Sequence, residues 1–582
     1  MDKDDVAEVL SDIGRILALQ DANQFKVRAY EDAARTIGSL SQDLHELVEN
    51  NELGDLEGIG EALAEKISEL VRTGSLAYYE DLKKDVPDGV LAMMEIPGLG
   101  PRKVESLWKE LEVTTLDELE NAAEQEKVQK LDGFGAKTEE NILDGIQHLK
   151  TYRQRYRINR ARKSAEPFLE FLEDLDEVER VKPCGSLRRH SETIGDVDIL
   201  ASVEESRREQ VMDQYVNHSD VHDVISQGDT KSSIRTDDGI QVDLRLVTDD
   251  QFPFALHYFT GSKEHNVAMR SLAIDQGLKL NEYGLFRTND EAEDEKDEQQ
   301  EGIACDTEEE LFEALGLHFI PPELREDMGE IEHANEEPIP ELVTAEDIEG
   351  TFHAHTTRSD GKHELREMVE ACRERNLSYL GISDHSQSAK YAGGLTEAEI
   401  KEQWEEIDSV QEDVSDVRIF KGIESDIRSD GSLDYEDDLL AGFDFVIASV
   451  HQQFQLSEDE QTDRLVRAVS NEYTTMLGHP TGRLLLEREG YDLDMERVIE
   501  AAAEHDTAIE INANPRRLDL DWRHAQLAQE HGVLTSINPD AHSTAGIDHM
   551  RWGAGIARKG WWTRDQVINT WSRSKVEEFL RV

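Results

Sequence analysis

The segment CGSLRRHSETIGDVDIL, residues 184–200, carries two acids, Asp196 and Asp198, on an apolar run typical of a β-strand. Side chains at i and i+2 of a strand share one face, so the two carboxylates repel each other at neutral pH. One interpretation is a strand end whose acids face water, and the other is a divalent metal site. Asp243 lies in IQVDLRLV, an apolar strand with the same alternation. Three carboxylates on neighbouring strands can hold two Mg²⁺ ions for phosphoryl transfer, which favours the metal site.

Three further residues in this segment suit a phosphate ligand. Gly185 permits a close backbone approach, and Ser186 offers a hydroxyl. Arg189 could neutralise a triphosphate. The segment therefore predicts nucleotide binding beside the metal site.

The charge of the chain is strongly negative. Its 582 residues include 128 acids and 62 bases, for a formal net charge of −66. The acids are spread along every segment, as expected of a protein that works in concentrated salt, where screening removes self-repulsion. In such salt counterion release drives little nucleic-acid binding, so any contact with DNA must be geometric.

The sequence favours a reducing, intracellular setting. Cys184, Cys305 and Cys372 lie far apart and form no CxxC motif. The start, MDKDDVAEVL, has neither the basic nor the apolar part of a secretion signal, and no apolar run reaches the length of a membrane span. We expect a cytoplasmic protein without a membrane partner.

A GxG turn followed by an amphipathic helix occurs three times near the N-terminus, in LEGIGEALAEKISEL (56–70), IPGLGPRKVESLW (96–108) and LDGFGAKTEENIL (131–143). Such turns aim backbone N–H groups and a helix N-terminus at an anion. One copy is common in helical proteins, but three in the same register resemble helix-hairpin-helix motifs, which grip DNA phosphates. The glycines concerned are Gly58, Gly60, Gly98, Gly100, Gly133 and Gly135.

The segment HYFTGSKEHNVAMR (257–270), followed by GLKLNEYGLF, closely resembles the nucleotide-binding segment of family X DNA polymerases. Together with GS…GDVD and the hairpins, it makes residues 1–330 similar to a polymerase-β-type core. The resemblance implies that Asp196, Asp198 and Asp243 bind Mg²⁺ or Mn²⁺, and that Asp243 also orients or deprotonates the primer 3′-hydroxyl. It implies nucleotide and template contacts by Gly185, Ser186, Arg189, Tyr258, Phe259, Gly261, Asn266 and Arg270. Lys263 and His265 are left as either substrate contacts or helix surface.

Lys66 occupies the position where polymerase β carries its Schiff-base lysine, with Lys26 and Tyr30 matching the surrounding pocket. Such a lysine needs a pKa depressed by burial or by nearby positive charge. Ala62 stands where polymerase β has a helper lysine. Both a solvated helix lysine and a lyase nucleophile therefore stay open.

The C-terminal half contains nine residues of metal-ligand type, nearly all after apolar strand-like runs. That placement predicts an active site at the carboxyl ends of barrel strands. Mixed imidazole and carboxylate donors favour two or three Mn²⁺ or Zn²⁺ ions over Mg²⁺. The residues are His353, His355, Asp360, His385, Glu424, His451, His479, Asp540 and His542.

These motifs resemble the PHP (polymerase and histidinol phosphatase) domain, a distorted (βα)₇ barrel with a trinuclear metal site. A polymerase core followed by a PHP domain is typical of bacterial and archaeal family X polymerases. The resemblance implies 3′→5′ exonuclease activity, with abasic-site cleavage or 3′-phosphate removal as additional possibilities. From the charge, we predict a halophilic archaeal source.

We therefore predict a multidomain α+β and α/β protein that fills gaps during DNA repair. It should bind gapped or nicked DNA and deoxynucleotides, as a monomer. The expected divisions are an N-terminal helical domain (1–80), a second helical subdomain (81–150), a catalytic palm (151–250), a nucleotide-selection subdomain (251–335), a linker (336–344) and the PHP domain (345–582).

Two other hypotheses remain. In the first, the C-terminal half is the working phosphoesterase or nuclease, and the polymerase-like half only binds DNA. In the second, the metals of the barrel are structural. Alanine at Asp198 separates the leading hypothesis from the first, and alanine at His355 separates it from the second.

Overall fold

A computed structural model describes residues 3–19, 22–38, 44, 47–48, 53–56, 59–74, 76–84, 86–94, 96, 99–111, 113–131, 133–152, 155–287 and 302–582. The chain divides into two compact units, Met1–Gln154 and Arg155–Val582.

The first unit is helical in its described part. Glycine precedes several of its helices: α3 follows Gly60, α6 follows Gly100 and begins at a proline, and α8 follows Gly135. Gly74 ends α3 in the left-handed conformation, at φ 73°. The helices are α1 (Lys3–Leu19), α2 (Gln24–Gly38), α3 (Glu61–Thr73), α4 (Ala77–Lys83), α5 (Asp88–Met93), α6 (Pro101–Leu111), α7 (Leu116–Glu124) and α8 (Ala136–Tyr152).

The second unit begins with a five-stranded sheet, which we call the palm sheet, in the order β2-β4-β7-β6-β5. Strand β4 pairs with β7 in parallel and with β2 antiparallel. One apolar core is formed by Phe168, Leu172 and Tyr215 together with sheet residues such as Leu244. The elements are β1 (Tyr156–Arg157), α9 (Ile158–Glu173), β2 (Val178–Pro183), α10 (Gly185–Arg188), β3 (Thr193–Ile194), β4 (Val197–Val203), α11 (Arg208–Val216), β5 (Val221–Gln227), β6 (Lys231–Thr236) and β7 (Gln241–Val247).

A smaller region follows the palm sheet and has its own apolar core, which includes Met269, Phe312 and Ile320. It contains a three-stranded antiparallel sheet in the order β10-β9-β8. Its elements are α12 (Phe252–Thr260), α13 (Lys263–Asp275), β8 (Leu278–Asn281), β9 (Gly284–Arg287), β10 (Gly302–Ile303), α14 (Glu308–Ala314) and α15 (Glu330–Glu336). The connecting segment 336–344 includes Leu342 and Val343, which are both buried, and the Val343 N–H donates to the Trp562 carbonyl at 2.9 Å.

The last region is a barrel of seven parallel strands arranged in chain order. A parallel bridge between Ala354 and Ala541 joins the segments that follow the first and last strands, which closes the ring. The predicted (βα)₇ fold is therefore confirmed. Its elements are β11 (Gly350–Thr351), α16 (Leu365–Glu374), β12 (Tyr379–Ile382), α17 (Glu397–Asp413), β13 (Arg418–Asp426), α18 (Asp437–Leu440), β14 (Phe445–Ser449), α19 (Glu458–Val469), β15 (Met476–Leu477), α20 (Met495–Glu504), β16 (Ala508–Asn512), α21 (Ala525–Glu530), β17 (Thr535–Asn538), α22 (Met550–Lys559) and α23 (Arg573–Leu580).

The barrel strands β14 and β16 are buried along their whole length, and β13 is buried except at Arg418 and Lys421, as expected for parallel strands covered on both faces. Phe352, Tyr379, Phe420 and Phe445 pack together in one apolar cluster. Polar side chains inside the barrel are therefore exceptions that need a partner or a ligand.

Candidate active sites

Two of the three acids of the palm lie on neighbouring strands, and the third comes directly before one of them. Asp198 in β4 and Asp243 in β7 are direct partners in the parallel register. Asp196 immediately precedes β4 and is exposed, whereas Asp198 is half-buried and Asp243 is buried. Burial, followed by the charges of Asp196 and Asp243, raises the pKa of Asp198 to about 6. Such concentrated negative charge suits a divalent cation, and carboxylate oxygens are the donors that Mg²⁺ and Mn²⁺ prefer.

Gly185 lies directly against this acid pair. Its φ is +57°, and a Cβ placed there would lie 2.6 Å from Asp198 Oδ2. A side chain at this position would therefore collide with the carboxylate and strain the backbone. The neighbouring Cys184 N–H donates to the Asp198 carbonyl at 2.8 Å. This hydrogen bond joins the turn at Gly185, which is predicted to bind phosphate, to the strand that carries Asp198.

Two side chains that the sequence analysis did not single out contact Asp243. Lys231 Nζ, on β6, lies 2.5 Å from its Oδ2, and Gln241 Nε2 donates to its Oδ1 at 2.9 Å. The lysine gives the buried carboxylate a counter-charge. Lys231 reaches Asp243 because β6 and β7 pair antiparallel, a relation that single-strand patterns do not reveal.

The predicted sugar and base contacts lie at the junction of α12 and α13. Tyr258 and Phe259 are half-buried on the last turn of α12, and Gly261 follows them. A Cβ at Gly261 would lie 2.8 Å from Asn266 Oδ1, so the glycine permits this close packing. Asn266 Nδ2 donates to the Tyr258 carbonyl at 2.7 Å, while Arg270 is exposed on α13.

Three other residues of this region, Ser186, Arg189 and His265, differ in burial and in hydrogen-bond partners. Ser186 is half-buried at the start of α10. Arg189 donates from Nε to Glu326 at 3.1 Å and from Nη1 to the Thr260 carbonyl at 2.7 Å. His265 is fully buried, with its Nδ1 2.7 Å from Glu330, so it is a core residue rather than helix surface.

The hairpin glycines fall partly within the described residues. Gly58 and Gly98 lie outside them. A Cβ placed at Gly60, Gly100, Gly133 or Gly135 would meet no described atom within 4 Å, and all four are exposed. The preceding Ile59, Leu99 and Phe134 are buried and anchor each turn. The backbone at these helix starts is therefore open to a large anion such as a DNA strand.

Lys66 lies in a small cluster of lysine and tyrosine side chains. Its Nζ is 5.4 Å from the centre of the Tyr78 ring and donates to the Ala62 carbonyl at 3.1 Å. Lys26 Nζ donates to the Tyr78 hydroxyl at 2.8 Å, and the Tyr30 ring stacks on Tyr78. Burial and Tyr78 raise the pKa of Tyr30 to about 12. The side chain of Lys66 is thus half-buried. This exposure lies between that of a solvated helix lysine and that of a buried lyase nucleophile, the two alternatives that the sequence left open.

The barrel brings all nine predicted ligands together at the carboxyl ends of its strands. Glu424, on β13, is at the centre of the group and is buried. Its Oε1 lies 3.1 Å from His479 Nε2 and 3.3 Å from His451 Nε2, and its Oε2 lies 2.9 Å from His385 Nδ1. Asp540 Oδ1 lies 3.3 Å from His355 Nε2 and 3.6 Å from His353 Nε2.

The donor atoms form three overlapping groups, within each of which all atoms lie within 4.8 Å of one another. His355 and His385 each belong to two of the groups. Several of the atoms, including His353 Nε2 and both ring nitrogens of His355, have no hydrogen-bond partner within the described part of the chain. Orphaned buried nitrogens are costly unless a ligand satisfies them, so the site fits a cluster of metal ions. The groups are His355, Asp360, His385 and His542; His353, His355 and Asp540; and His385, Glu424 and His451.

The histidines and carboxylates of the barrel site shift one another's pKa values. Burial, with smaller effects of neighbouring cations, lowers the pKa of His355 and that of His479, the latter to about 4. Burial would raise the pKa of Glu424 and of Asp540, but the surrounding histidines hold both well below the usual range. Neighbouring carboxylates outweigh burial and raise the pKa of the other four histidines, His353, His385, His451 and His542. Neutral imidazole and ionised carboxylate are the protonation states that bind a metal, so metal binding would release protons from these four histidines.

Two carboxylates that the sequence analysis missed orient the predicted ligands. Glu510 Oε1, in β16, lies 2.7 Å from His353 Nδ1, and its Oε2 accepts from the His479 N–H at 2.8 Å. Asp426 Oδ1 lies 2.5 Å from His451 Nδ1. A carboxylate on the second ring nitrogen fixes the tautomer and orientation of a metal-binding histidine. For Glu510 the sequence did contain a signal, because AIEIN (508–512) places this acid in an otherwise apolar strand.

Four segments of the chain match protein families. Residues 1–76 match a helix-hairpin-helix domain, 90–148 a SAM-like helix-hairpin-helix tandem, 255–326 the DNA polymerase beta thumb and 351–514 the PHP domain. The DNA polymerase/3′-5′ exonuclease PolX of Bacillus subtilis (strain 168) is 40% identical over the whole of both chains. The chain belongs to the PolX family of DNA polymerases. The predictions of helix-hairpin-helix regions, a polymerase-β-like core and a PHP domain are thereby confirmed, and with them a DNA polymerase/3′-5′ exonuclease.

The C-terminal part also resembles smaller proteins. A probable phosphatase of Thermoanaerobacter sp. (strain X514) is 28% identical over 39% of this chain and 93% of its own length. A probable phosphatase of Caldanaerobacter subterraneus subsp. tengcongensis is 29% identical over 39% of this chain and 89% of its own. No described helix is both long and apolar enough to span a membrane.

Proposed function

We propose that Asp196, Asp198 and Asp243 hold Mg²⁺ or Mn²⁺ and that the palm fills short gaps in DNA during repair. The register of Asp198 beside Asp243 carries this proposal. Bound metal ions would neutralise charge on the triphosphate and lower the pKa of the primer hydroxyl. Asp243, held by Lys231 and Gln241, would orient or deprotonate the primer 3′-hydroxyl. Primer extension on gapped DNA by wild type and by an Asp198→Ala variant tests this role.

The incoming nucleotide would occupy the space between the palm strands and the α12–α13 junction. Gly185 and Ser186 would contact phosphate, and Arg189 would bind the triphosphate after leaving Glu326. Tyr258, Phe259 and Gly261 would line the sugar, Asn266 would meet the base, and Arg270 would meet the template strand. Discrimination of deoxy- from ribonucleotides in Tyr258 and Phe259 variants tests the sugar pocket.

The barrel site would remove nucleotides from a DNA 3′ end. Its three overlapping donor groups support two or three Mn²⁺ or Zn²⁺ ions. Such ions would activate a water molecule and stabilise a leaving alkoxide. The chain itself contributes the histidines, Glu424 and Asp540 as ligands, and Glu510 and Asp426 as groups that fix imidazole orientation. Shortening of labelled primers by wild type and a His355→Ala variant tests this activity.

Removal of a 3′-phosphate is a second candidate activity of the barrel, because its relatives include probable phosphatases that align along most of their length. Cleavage at abasic sites is a third. Phosphate release from a 3′-phosphorylated primer and nicking of an abasic duplex separate these from plain exonuclease action. The hypothesis of a nuclease that uses the polymerase half only for DNA binding predicts no extension by wild type.

We further propose that the hairpin glycines bind the backbone of gapped or nicked DNA through amide N–H groups. Such contacts do not depend on lysines, which agrees with the charge of −66. The same charge supports a halophilic archaeal source and work in molar salt. The three dispersed cysteines support a cytoplasmic location, and we propose that the protein is a monomer. Light scattering and DNA binding across a series of KCl concentrations test these statements.

Lys66 would act as a lyase nucleophile on 5′-deoxyribose phosphate, supported by its position beside Lys26 and Tyr78. Borohydride trapping of a covalent adduct on an incised abasic site tests this role, with Lys66→Arg as the control. Adduct formation by both proteins would exclude Lys66 as the nucleophile.

A further inference from the structure

A segment of the palm lies directly against the PHP domain. The segment is residues 189–192, between α10 and β3, and it joins the proposed triphosphate site to the metal ligand Asp196. The His190 ring packs on α22 of the PHP domain at Gly555, where a Cβ would approach His190 Nδ1 to 2.0 Å. Glu192 lies 3.6 Å from Arg483 and 3.5 Å from Arg523, both in the PHP domain.

Lys559, the last residue of α22, enters the same region. Its side chain is 2% exposed. The ammonium donates to the carbonyls of Arg189 and Glu323, at 3.3 and 3.4 Å, and forms an ion pair with Glu326. A buried lysine with three oxygen partners is held in one position, and removing its partners would leave a costly unpaired charge.

The Glu326 carboxylate oxygen that binds Lys559 also binds Arg189. Arg189 Nε lies 3.1 Å from Glu326 Oε1, and its side chain is 14% exposed. Burial would raise the pKa of Glu326, but Lys559 and Arg189 lower it, so the carboxylate stays ionised at neutral pH. One half-buried anion is therefore shared by a cation of the PHP domain and a cation of the polymerase site.

We propose that Lys559 is a positioning residue for nucleotide binding at the polymerase site, acting through Glu326 on Arg189. A triphosphate can recruit Arg189 only in competition with Glu326. Lys559 keeps Glu326 neutralised when Arg189 leaves, so the exchange leaves no unpaired half-buried carboxylate. Without Lys559, Glu326 would hold Arg189 more tightly. The inference rests on the proposed triphosphate role of Arg189, and it makes the PHP domain a contributor to polymerase substrate affinity.

The test is single-nucleotide gap filling by the full-length protein, with the deoxynucleotide concentration varied. Lys559→Met keeps the side-chain length and removes the charge. We expect its KM for deoxynucleotide to rise about tenfold, the effect of losing a charged hydrogen-bond partner, with kcat changed far less. Lys559→Arg should retain most of the wild-type KM. Lys575→Met, a surface lysine of the same domain, is the matched control and should leave KM unchanged.

The double variant Lys559→Met with Glu326→Gln removes both charges and should return KM close to the wild-type value. A raised KM in that double variant, or an unchanged KM in Lys559→Met, would overturn the inference. Exonuclease activity, measured on the same preparations, reports whether each variant has folded. If Lys559→Met does not fold, Glu326→Gln alone decides: a lower KM supports the inference and a higher one contradicts it. Wild type that fails to extend primers would instead contradict the proposed polymerase function.

Discussion

The palm and the barrel both gather acids at strand ends, but they present them differently. In the palm, Asp196 is exposed, Asp198 is half-buried and Asp243 is already paired with Lys231. In the barrel, most ligands are buried and further carboxylates orient them. With metal ions bound as proposed, the palm site would need substrate phosphates to complete their coordination, whereas the barrel site would be built from protein ligands alone. One chain can thus hold two kinds of metal site, one whose ligands are completed by the substrate and one whose ligands all come from the folded protein.

Loss of Asp198 should have the largest effect on the palm. Asp198→Ala removes a ligand on which the proposed metal site depends, and we expect gap filling to fall by about three orders of magnitude or more. Shortening of the primer should persist, because the barrel site is separate. Asp223→Ala, an exposed acid on β5, is the control and should extend normally. Equal loss of both activities in Asp198→Ala would mean that the two sites depend on each other.

The barrel should show the reverse pattern. His355 belongs to two of the three donor groups, so His355→Ala should lower the rate of primer shortening by about three orders of magnitude, as Asp198→Ala lowers gap filling. The amount of bound metal, measured by mass spectrometry, should also fall. His505→Ala, an exposed histidine of the same domain, should behave as wild type. Retained shortening in His355→Ala would make the cluster structural rather than catalytic.

Loss of a carboxylate that orients a predicted ligand should reduce exonuclease activity less than loss of the ligand itself. Glu510→Gln weakens the hold on His353 and keeps the side-chain size, so exonuclease activity should fall about 10- to 100-fold. Added Mn²⁺ should restore part of it, if the defect is in metal affinity. Glu500→Gln, on α20, serves as the control. Gap filling should not change in either variant, and a loss there would contradict the separation of the sites.

The smallest expected effect is the change with pH in the Mg²⁺ concentration that primer extension requires. The pKa of Asp198 is about 6, so this carboxyl is protonated at pH 5 and must lose its proton to bind metal. The Mg²⁺ concentration for half-maximal extension should therefore rise by about tenfold between pH 7 and pH 5. A folded-state pKa above the unfolded one also means that the associated stability is present below about pH 4 and lost as pH rises through 6. A Mg²⁺ requirement that is flat across this range would contradict the assignment.

Much of both sites could be predicted from the sequence because strand periodicity is local. The alternation in DVDIL and QVDLR is enough to bring Asp198 and Asp243 to one face, and the placement of histidines after apolar runs predicts the barrel cluster. The contacts of Lys559 with Glu326 and of Glu192 with Arg523 join positions more than 200 residues apart. They depend on how domains pack, and no short pattern in the chain encodes that packing.

A denaturing gel of a labelled primer on single-nucleotide-gapped DNA tests the central claim of two working sites most directly. The reaction would be run in molar KCl with Mn²⁺, with and without deoxynucleotides, for wild type, Asp198→Ala and His355→Ala. We predict extension with nucleotides and shortening without them in wild type, with each variant losing one activity. Shortening under both conditions in wild type would contradict a working polymerase site, and extension without any shortening would contradict a working 3′→5′ exonuclease.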